Sequence, residues 1–347
     1  MSGDFGGADE IGFDRQGRAG VVTLTRPKAL NALTQRMVNA LAAALEAWRK
    51  DPAVELVIVR AEGRAFCAGG DIVDVYKAGL EGRLLVDFFA DEYRLNAAIE
   101  AYPKPYVALI DGIVMGGGVG ISAHGSHRVV TENAVFAMPE VGIGFFPDVG
   151  GSHFLPRLRG AAGMYFGLTG NRARWGDQLQ SGFATHAVKA EALDELTRQL
   201  TAGGDIEATL AMFAQTAASE TPADHWEAID RHFAQPTLGG VMQSLAEADA
   251  EFEAGLAATI AKRSPTSVKV AFREITEGRA LSMRDCMNME FRILNRMLAG
   301  RDFYEGIRAA VIDKDNAPVW QPSMLEEVSD EAVNAYFAPL GEKELGL

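Results

Sequence analysis

Two glycine turns, each following a short apolar stretch, restrict what this chain can become. The first runs Ala65-Phe66-Cys67-Ala68-Gly69-Gly70-Asp71 and the second Met115-Gly116-Gly117-Gly118-Val119-Gly120. A glycine turn between a strand and a helix exposes main-chain N–H groups at a helix start, where the helix dipole adds partial positive charge. Two such amides aimed at one point form an oxyanion hole, worth about 3–4 kcal/mol per donor in a transition state. Spacing alone also allows two ordinary tight turns. It does not allow a dinucleotide fingerprint, because the residue three beyond Gly118 is Ile121, and no Gly-Lys-Ser/Thr completes a phosphate loop.

Around these turns strands alternate with helices. AGVVTLT (19–25), ELVIVR (55–60) and YVALIDG (106–112) read as strands, as do the short runs HRVVTE (127–132) and AVFAM (134–138). Met37, Leu41, Leu45 and Trp48 recur at helical spacing, and 82–100 has helical composition. This order predicts an α/β fold with crossover connections. From Ala190 onward EALDELTRQL, DIEATLAMFAQTA, LAEADAEFEAGLAATIA and CMNMEFRILNRML all read as helix. The expected organisation is therefore an α/β core over 1–200 and a helical region over 201–347, with Gly203-Gly204 as the linker.

A third segment, Ala137-Met138-Pro139-Glu140 through Asp148-Val149-Gly150-Gly151, sets two carboxylates in an apolar, Gly/Pro-rich stretch. A carboxyl group in apolar surroundings has a raised pKa and can serve as an acid or base near neutrality. The alternative is that they cap helices, as Asp148 could before Gly150-Gly151. Other candidates are weaker. His124 and His127 lack the further ligands of a metal site. Cys67 has no partner in sequence that would make it a nucleophile, and Ser152 lacks a G-x-S-x-G setting. His153 follows the Gly-Gly turn and reads as bordering a pocket at most.

With 33 basic against 47 acidic residues the chain carries a formal −14. Such a surface argues against nucleic acid or an anionic membrane as partner. No apolar run approaches the ~20 residues of a membrane span. Two distant cysteines, Cys67 and Cys286, suit a reducing compartment. The opening residues show neither a basic region followed by an apolar run nor an Arg-rich, acid-poor bias. The expected location is the cytoplasm.

Read together, the segments resemble the crotonase (enoyl-CoA hydratase/isomerase) superfamily. The resemblance runs from Arg26-Pro27-Lys28-Ala29-Leu30-Asn31-Ala32-Leu33 through both glycine turns and covers nearly the whole chain. FAMPEVGIGFFPDVGGSHFLPRL (136–158), SPTSVKV (264–270) and RDFYEGIRAAVIDKDNAPVWQP (301–322) are most similar to its branch of 3-hydroxyisobutyryl-CoA hydrolases. The resemblance implies a ββα spiral core with a C-terminal helical region. It also implies an acyl-CoA substrate held at its thioester oxygen by the Gly70 and Gly117 amides. Coenzyme A is then part of the substrate, and no separate cofactor is needed. The superfamily's hydratases use two glutamates. One corresponds to Glu140, but the other falls at Gly120, which can act as neither acid nor base. Asp148 then supplies the second carboxylate, as in the hydrolases, and Glu92 lines the acyl pocket. The adenine is expected against Cys67-Ala68, with Lys28 toward the phosphates. Asp71 is expected to hold the turn.

The implied activity is hydrolysis of a short 3-hydroxyacyl-CoA, 3-hydroxyisobutyryl-CoA from valine breakdown, by a homo-oligomer. A hydratase or isomerase working with Glu140 and Asp148, and a non-catalytic acyl-CoA binder, are the other readings.

Overall fold

The computed structural model describes residues 3–347. It holds ten strands: β1 (Ile11–Gln16), β2 (Ala19–Leu24), β3 (Leu56–Ala61), β4 (Ala65–Cys67), β5 (Tyr106–Ile110), β6 (Ile113–Met115), β7 (His127–Val130), β8 (Val135–Ala137), β9 (Ala173–Arg174) and β10 (His186–Ala187). The helices through the first two-thirds of the chain are α1 (Gln35–Lys50), α2 (Ile72–Leu80), α3 (Val86–Glu100), α4 (Gly117–Ala123), α5 (Gly151–Phe154), α6 (Ala162–Thr169), α7 (Trp175–Ser181), α8 (Leu193–Ala202) and α9 (Ile206–Phe213). Then come α10 (Ala223–Phe233), α11 (Leu238–Ala246), α12 (Glu251–Ala261), α13 (Pro265–Gly278), α14 (Met283–Met297), α15 (Asp302–Ile307) and α16 (Asp330–Phe337).

Two compact units are assembled from interleaved stretches. Of the described residues, one takes 3–70, 94–136 and 173–220; the other takes 71–93, 137–172 and 221–347. The last strand ends at Ala187, so the chain beyond residue 200 is helical, but the compact units do not divide there.

The first unit is built on two sheets. The larger has the order β1-β2-β3-β5-β7-β10, with β1–β2 an antiparallel hairpin and the rest parallel. Side chains alternate across a strand, so Ala19, Val21, Leu56, Ile58, Val107, Leu109 and Val129 share one face, where Leu196 and Leu200 of α8 and Leu210 of α9 cover them. Val22, Val57, Val59, Ala108 and Ile110 on the other face are equally buried. A parallel sheet covered on both faces explains the near-continuous apolar runs in its sequence. Trp48 of α1 lies over Gly20 so closely that a Cβ there would sit 2.5 Å from its ring. The smaller sheet, β4-β6-β8-β9, carries both glycine turns.

Strand β1 is absent from the sequence expectations, because half of IGFDRQ is polar; it forms as the outer partner of a hairpin closed at Gly17, φ +55. In the second unit the expected single helix over 245–261 is broken. Helix α11 ends at Ala246 and α12 begins at Glu251, after Ala250 in extended conformation (φ −89, ψ 148). The break lets the two helices pack together, one burying Val241 and Leu245 and the other Leu256 and Ile260. Helix α13 packs against α5, α6, α14 and α16. No helix among the described residues is long and apolar enough to cross a membrane.

Candidate active site

The glycine turns leave the same end of a parallel strand pair, with Ala65 opposite Ile113 and Cys67 opposite Val114. They lie against each other. A Cβ added at Gly69 would stand 3.6 Å from the Met115 carbonyl oxygen and 3.9 Å from the Gly117 nitrogen, and one at Gly118 would come within 2.2 Å of the Cys67 oxygen. Gly69 has φ +120, and Gly116 sits at φ 48, ψ −126, conformations that only glycine adopts readily. Gly116 caps α4, and its oxygen accepts from the amides of Val119 (2.8 Å) and Gly120 (3.2 Å). Gly117, first in the helix, has no intrahelical acceptor for its amide. Among the described residues neither the Gly117 nor the Gly70 amide meets an acceptor.

The segment Arg26–Leu33 braces the first turn. Asn31 is fully buried in a left-handed conformation, φ 54, which asparagine tolerates better than most residues. Its Nδ2 donates to the carbonyls of Glu62 and Ala65 (2.8 Å each), and its Oδ1 accepts from the Arg26 amide at 2.8 Å. The Ala68 amide donates to Leu30 O at 3.0 Å, and the Leu33 amide to Gly69 O at 2.8 Å. Cys67 is buried with its thiol turned toward Gly69 O at 3.6 Å, a packing role, while Lys28 is exposed on the short turn Pro27–Ala29. Gly120, where a hydratase would carry its second glutamate, lies buried in α4.

The second unit gathers carboxyl groups. Glu140 opens the 3-10 turn Glu140–Ile143; its main-chain oxygen accepts from Gly144 and Phe145, and its buried Oε2 has no partner. Asp148 does not cap a helix: Gly150 occupies the cap of α5, and the Asp148 carboxylate accepts from the Tyr93 hydroxyl at 2.9 Å. Glu92, next to Tyr93 on α3, is 2% exposed with Oε1 unpartnered, so the usual solvated fate of a helix glutamate does not apply.

Two acids of this group have no counterpart among the sequence candidates. Glu290 of α14 and Glu274 of α13 are both 0% exposed. Oε2 of Glu290 accepts from the Gly150 amide (2.9 Å), and Oε1 accepts from the Ser152 amide (3.0 Å) and hydroxyl (2.5 Å). Neither oxygen of Glu274 has a partner. Both stand on amphipathic helices at positions that read as ordinary helix glutamates; only their place on the buried face of each stripe could have singled them out.

Burial raises the pKa of every one of these acids, because the charged form loses its hydration. Desolvation and then the Asp148 charge hold Glu92 and Glu140 well above the usual carboxylate range. Asp148 itself is pushed up to about 7, although the Tyr93 hydroxyl pulls it back. Desolvation lifts Glu290 to about 8 against the hydrogen bonds from Ser152 and Gly150. Glu274 is raised by desolvation and then by Glu290, Asp148 and Glu140. Burial thus disfavours the charged form throughout the set.

The remaining candidates have other work. His127 is bound at Nδ1 by Ser126 Oγ (2.8 Å) and at Nε2 by Glu207 (2.9 Å), which ties α9 to the sheet. Burial and then Arg157 lower His153 to about 4, so it is neutral at physiological pH. The Ser152 hydroxyl is committed to Glu290. Among the described residues no group of three or more His, Cys, Asp or Glu side chains could hold a metal.

Residues 19–337 match the family model described as enoyl-CoA hydratase/isomerase. A 3-hydroxyisobutyryl-CoA hydrolase, mitochondrial, from Danio rerio is 45% identical over 97% of this chain and 92% of its own. The Homo sapiens protein of the same name is 40% identical over 99% and 92%. Among solved structures, a carnitinyl-CoA dehydratase from Mycobacterium thermoresistibile superposes with TM-score 0.91 at 41% identity, over 97% of this chain and 98% of its own. An enoyl-CoA hydratase from Rhodobacter sphaeroides gives 0.90 at 39%, over 97% and 100%. The fold is thus the crotonase fold. The mitochondrial names overturn the cytoplasmic location expected from composition. Two buried cysteines and an acidic composition fit any reducing compartment and do not discriminate between them.

Proposed function

The chain belongs to the enoyl-CoA hydratase/isomerase family, and on that footing we propose that it hydrolyses 3-hydroxyisobutyryl-CoA to 3-hydroxyisobutyrate and coenzyme A, a step of valine breakdown. The thioester oxygen takes the amides of Gly70 and Gly117, which stabilise it as negative charge develops. Glu140 either attacks the thioester carbon or removes a proton from the water that does. In the first case thiolate leaves as the C–S bond breaks and an anhydride forms on Glu140, which water then cleaves to free acid and carboxylate. In the second water adds directly and thiolate leaves as the carbonyl re-forms, and on either route the proton lost by water returns to sulfur or solvent. Asp148 orients the 3-hydroxyl or shuttles that proton, and Glu92 lines the acyl pocket. Coenzyme A rests its adenine on Cys67-Ala68 and its phosphates near Lys28.

One observation carries this reading. Glu140 keeps a buried, unpartnered carboxylate oxygen, and the second acid beside it in sequence is Asp148, while position 120 holds glycine. The curated relatives' names point the same way. The second reading, hydration of an enoyl-CoA, is favoured by the names of the two similar solved structures. It lacks an acid at 120. A short panel of acyl-CoAs separates the two. Release of free thiol from 3-hydroxyisobutyryl-CoA supports hydrolysis. Loss of the crotonyl-CoA double-bond absorbance without thiol release contradicts it. The same reading includes a homo-oligomer, checked by light scattering.

A further inference from the structure

The turn that carries Asp148 is held in an unfavourable shape. Val149, which follows it, is β-branched, 1% exposed, and sits at φ +52, a left-handed conformation such residues rarely adopt. Gly150 continues at φ +85, and the Gly151 amide donates to the Asp148 carbonyl at 2.8 Å. Conformations of this kind persist only where the surroundings over-determine them. Among those surroundings one side chain grips the turn at two amides. Glu290, 140 residues further along the chain than Gly150, receives the amides of Gly150 and Ser152, one on each side of Gly151, and the Ser152 hydroxyl as well. It is 0% exposed, so the clamp is shielded from water. The Asp148 carboxylate itself is gripped by Tyr93. Thus the side chain is fixed at one point and the backbone just after it at two.

We propose that Glu290 is a positioning residue for the hydrolysis: by holding the Gly150 and Ser152 amides it keeps the turn at Val149 in its left-handed form and so aims the Asp148 carboxylate. This rests on the role given above to Asp148. A glutamine at 290 keeps the shape but turns one acceptor into a donor facing an amide donor, which breaks the clamp. Misplacing a reacting group by ~1 Å costs up to about 100-fold in rate.

The test is a double-mutant cycle on the full-length enzyme, with thiol release followed over a range of acyl-CoA concentrations up to saturation. Glu290→Gln should lower kcat by about 10–100-fold with KM nearly unchanged. In an Asp148→Asn background the same substitution should have little further effect, because two residues acting through one group are not additive. Equal losses in both backgrounds, or unchanged kcat in a folded Glu290→Gln protein, would overturn the proposal. If Glu290→Gln does not fold, Ser152→Ala, which removes only the hydroxyl, carries the same cycle; it should give a smaller kcat loss that vanishes in the Asp148→Asn background, and an additive loss would again overturn it. Should Asp148→Asn alone keep parental turnover, the role of Asp148 fails first, and the proposal falls with it.

Discussion

In residues 65–70 and 113–120 the groups proposed to work are main-chain amides, set by backbone geometry, with Gly118 leaving no room for a side chain. In Glu92, Glu140, Asp148, Glu274 and Glu290 they are carboxyls, taken out of water by burial. The first region offers donors without any net charge. The second offers acceptors whose charge the fold itself resists. Amides at a turn cannot be titrated and are lost only by steric change. Buried carboxyls can be silenced by one atom or by pH, so the two regions should fail in different ways.

The comparison breaks most sharply at Glu140. Glu140→Gln changes one atom of the acid region, and kcat for thiol release should fall by about 10³-fold, the scale of a lost general base. Acyl-CoA binding, followed by calorimetry, should persist. Near-parental turnover would remove Glu140 from the chemistry. In the amide region the equivalent injury is steric. Gly118→Ala places a methyl 2.2 Å from the Cys67 oxygen, which is backbone and cannot yield cheaply. Parting the two turns should cost about 10²-fold in kcat, the value of one misplaced oxyanion donor. A folded Gly118→Ala enzyme with unchanged kcat would show that the apposition of the turns is dispensable.

Asn31→Ala tests the brace rather than the amides. It strands the Arg26 amide and the Glu62 and Ala65 carbonyls, and should cost about 2–4 kcal/mol of stability, read by urea unfolding. Less than about 1 kcal/mol would mean the loop holds itself.

The smallest effect sharpens the contrast through pH. Asp148 rises from its ordinary 3.8 to about 7 and Glu290 from 4.5 to about 8 in the fold; Glu92, Glu140 and Glu274 move the same way, with Tyr93 bonded to Asp148. The folded protein then holds protons that the unfolded chain has released, so stability declines as pH climbs from about 4 toward 8. Tm should be a few degrees higher at pH 5 than at pH 8. The reverse order would mean that the acids are ionised in the fold.

Why the two regions differ in legibility follows from the same physics. A glycine turn is a local object, and Gly69-Gly70 and Gly116-Gly117-Gly118 announce themselves within a few residues. Their apposition needs only that β4 and β6 pair. Glu140 and Asp148 are also legible, since a carboxylate in an apolar, Gly/Pro-rich run is conspicuous. Glu274 and Glu290 are not, because each sits on an amphipathic helix where burial depends on partners far away in sequence. The function of Asn31 is hidden for a similar reason: an asparagine beside Leu30 looks like a turn residue until its three bonds are drawn. Strand β1 escaped because half its surface is polar, and the break between α11 and α12 because composition does not reveal where a helix folds back.

Hydrolysis itself is tested most directly by turnover of 3-hydroxyisobutyryl-CoA in water enriched in heavy oxygen. The account predicts free coenzyme A thiol in step with product, and heavy oxygen in the carboxylate of 3-hydroxyisobutyrate. Heavy oxygen exchanged into the 3-hydroxyl of a molecule still joined to coenzyme A, with no thiol released, would contradict it.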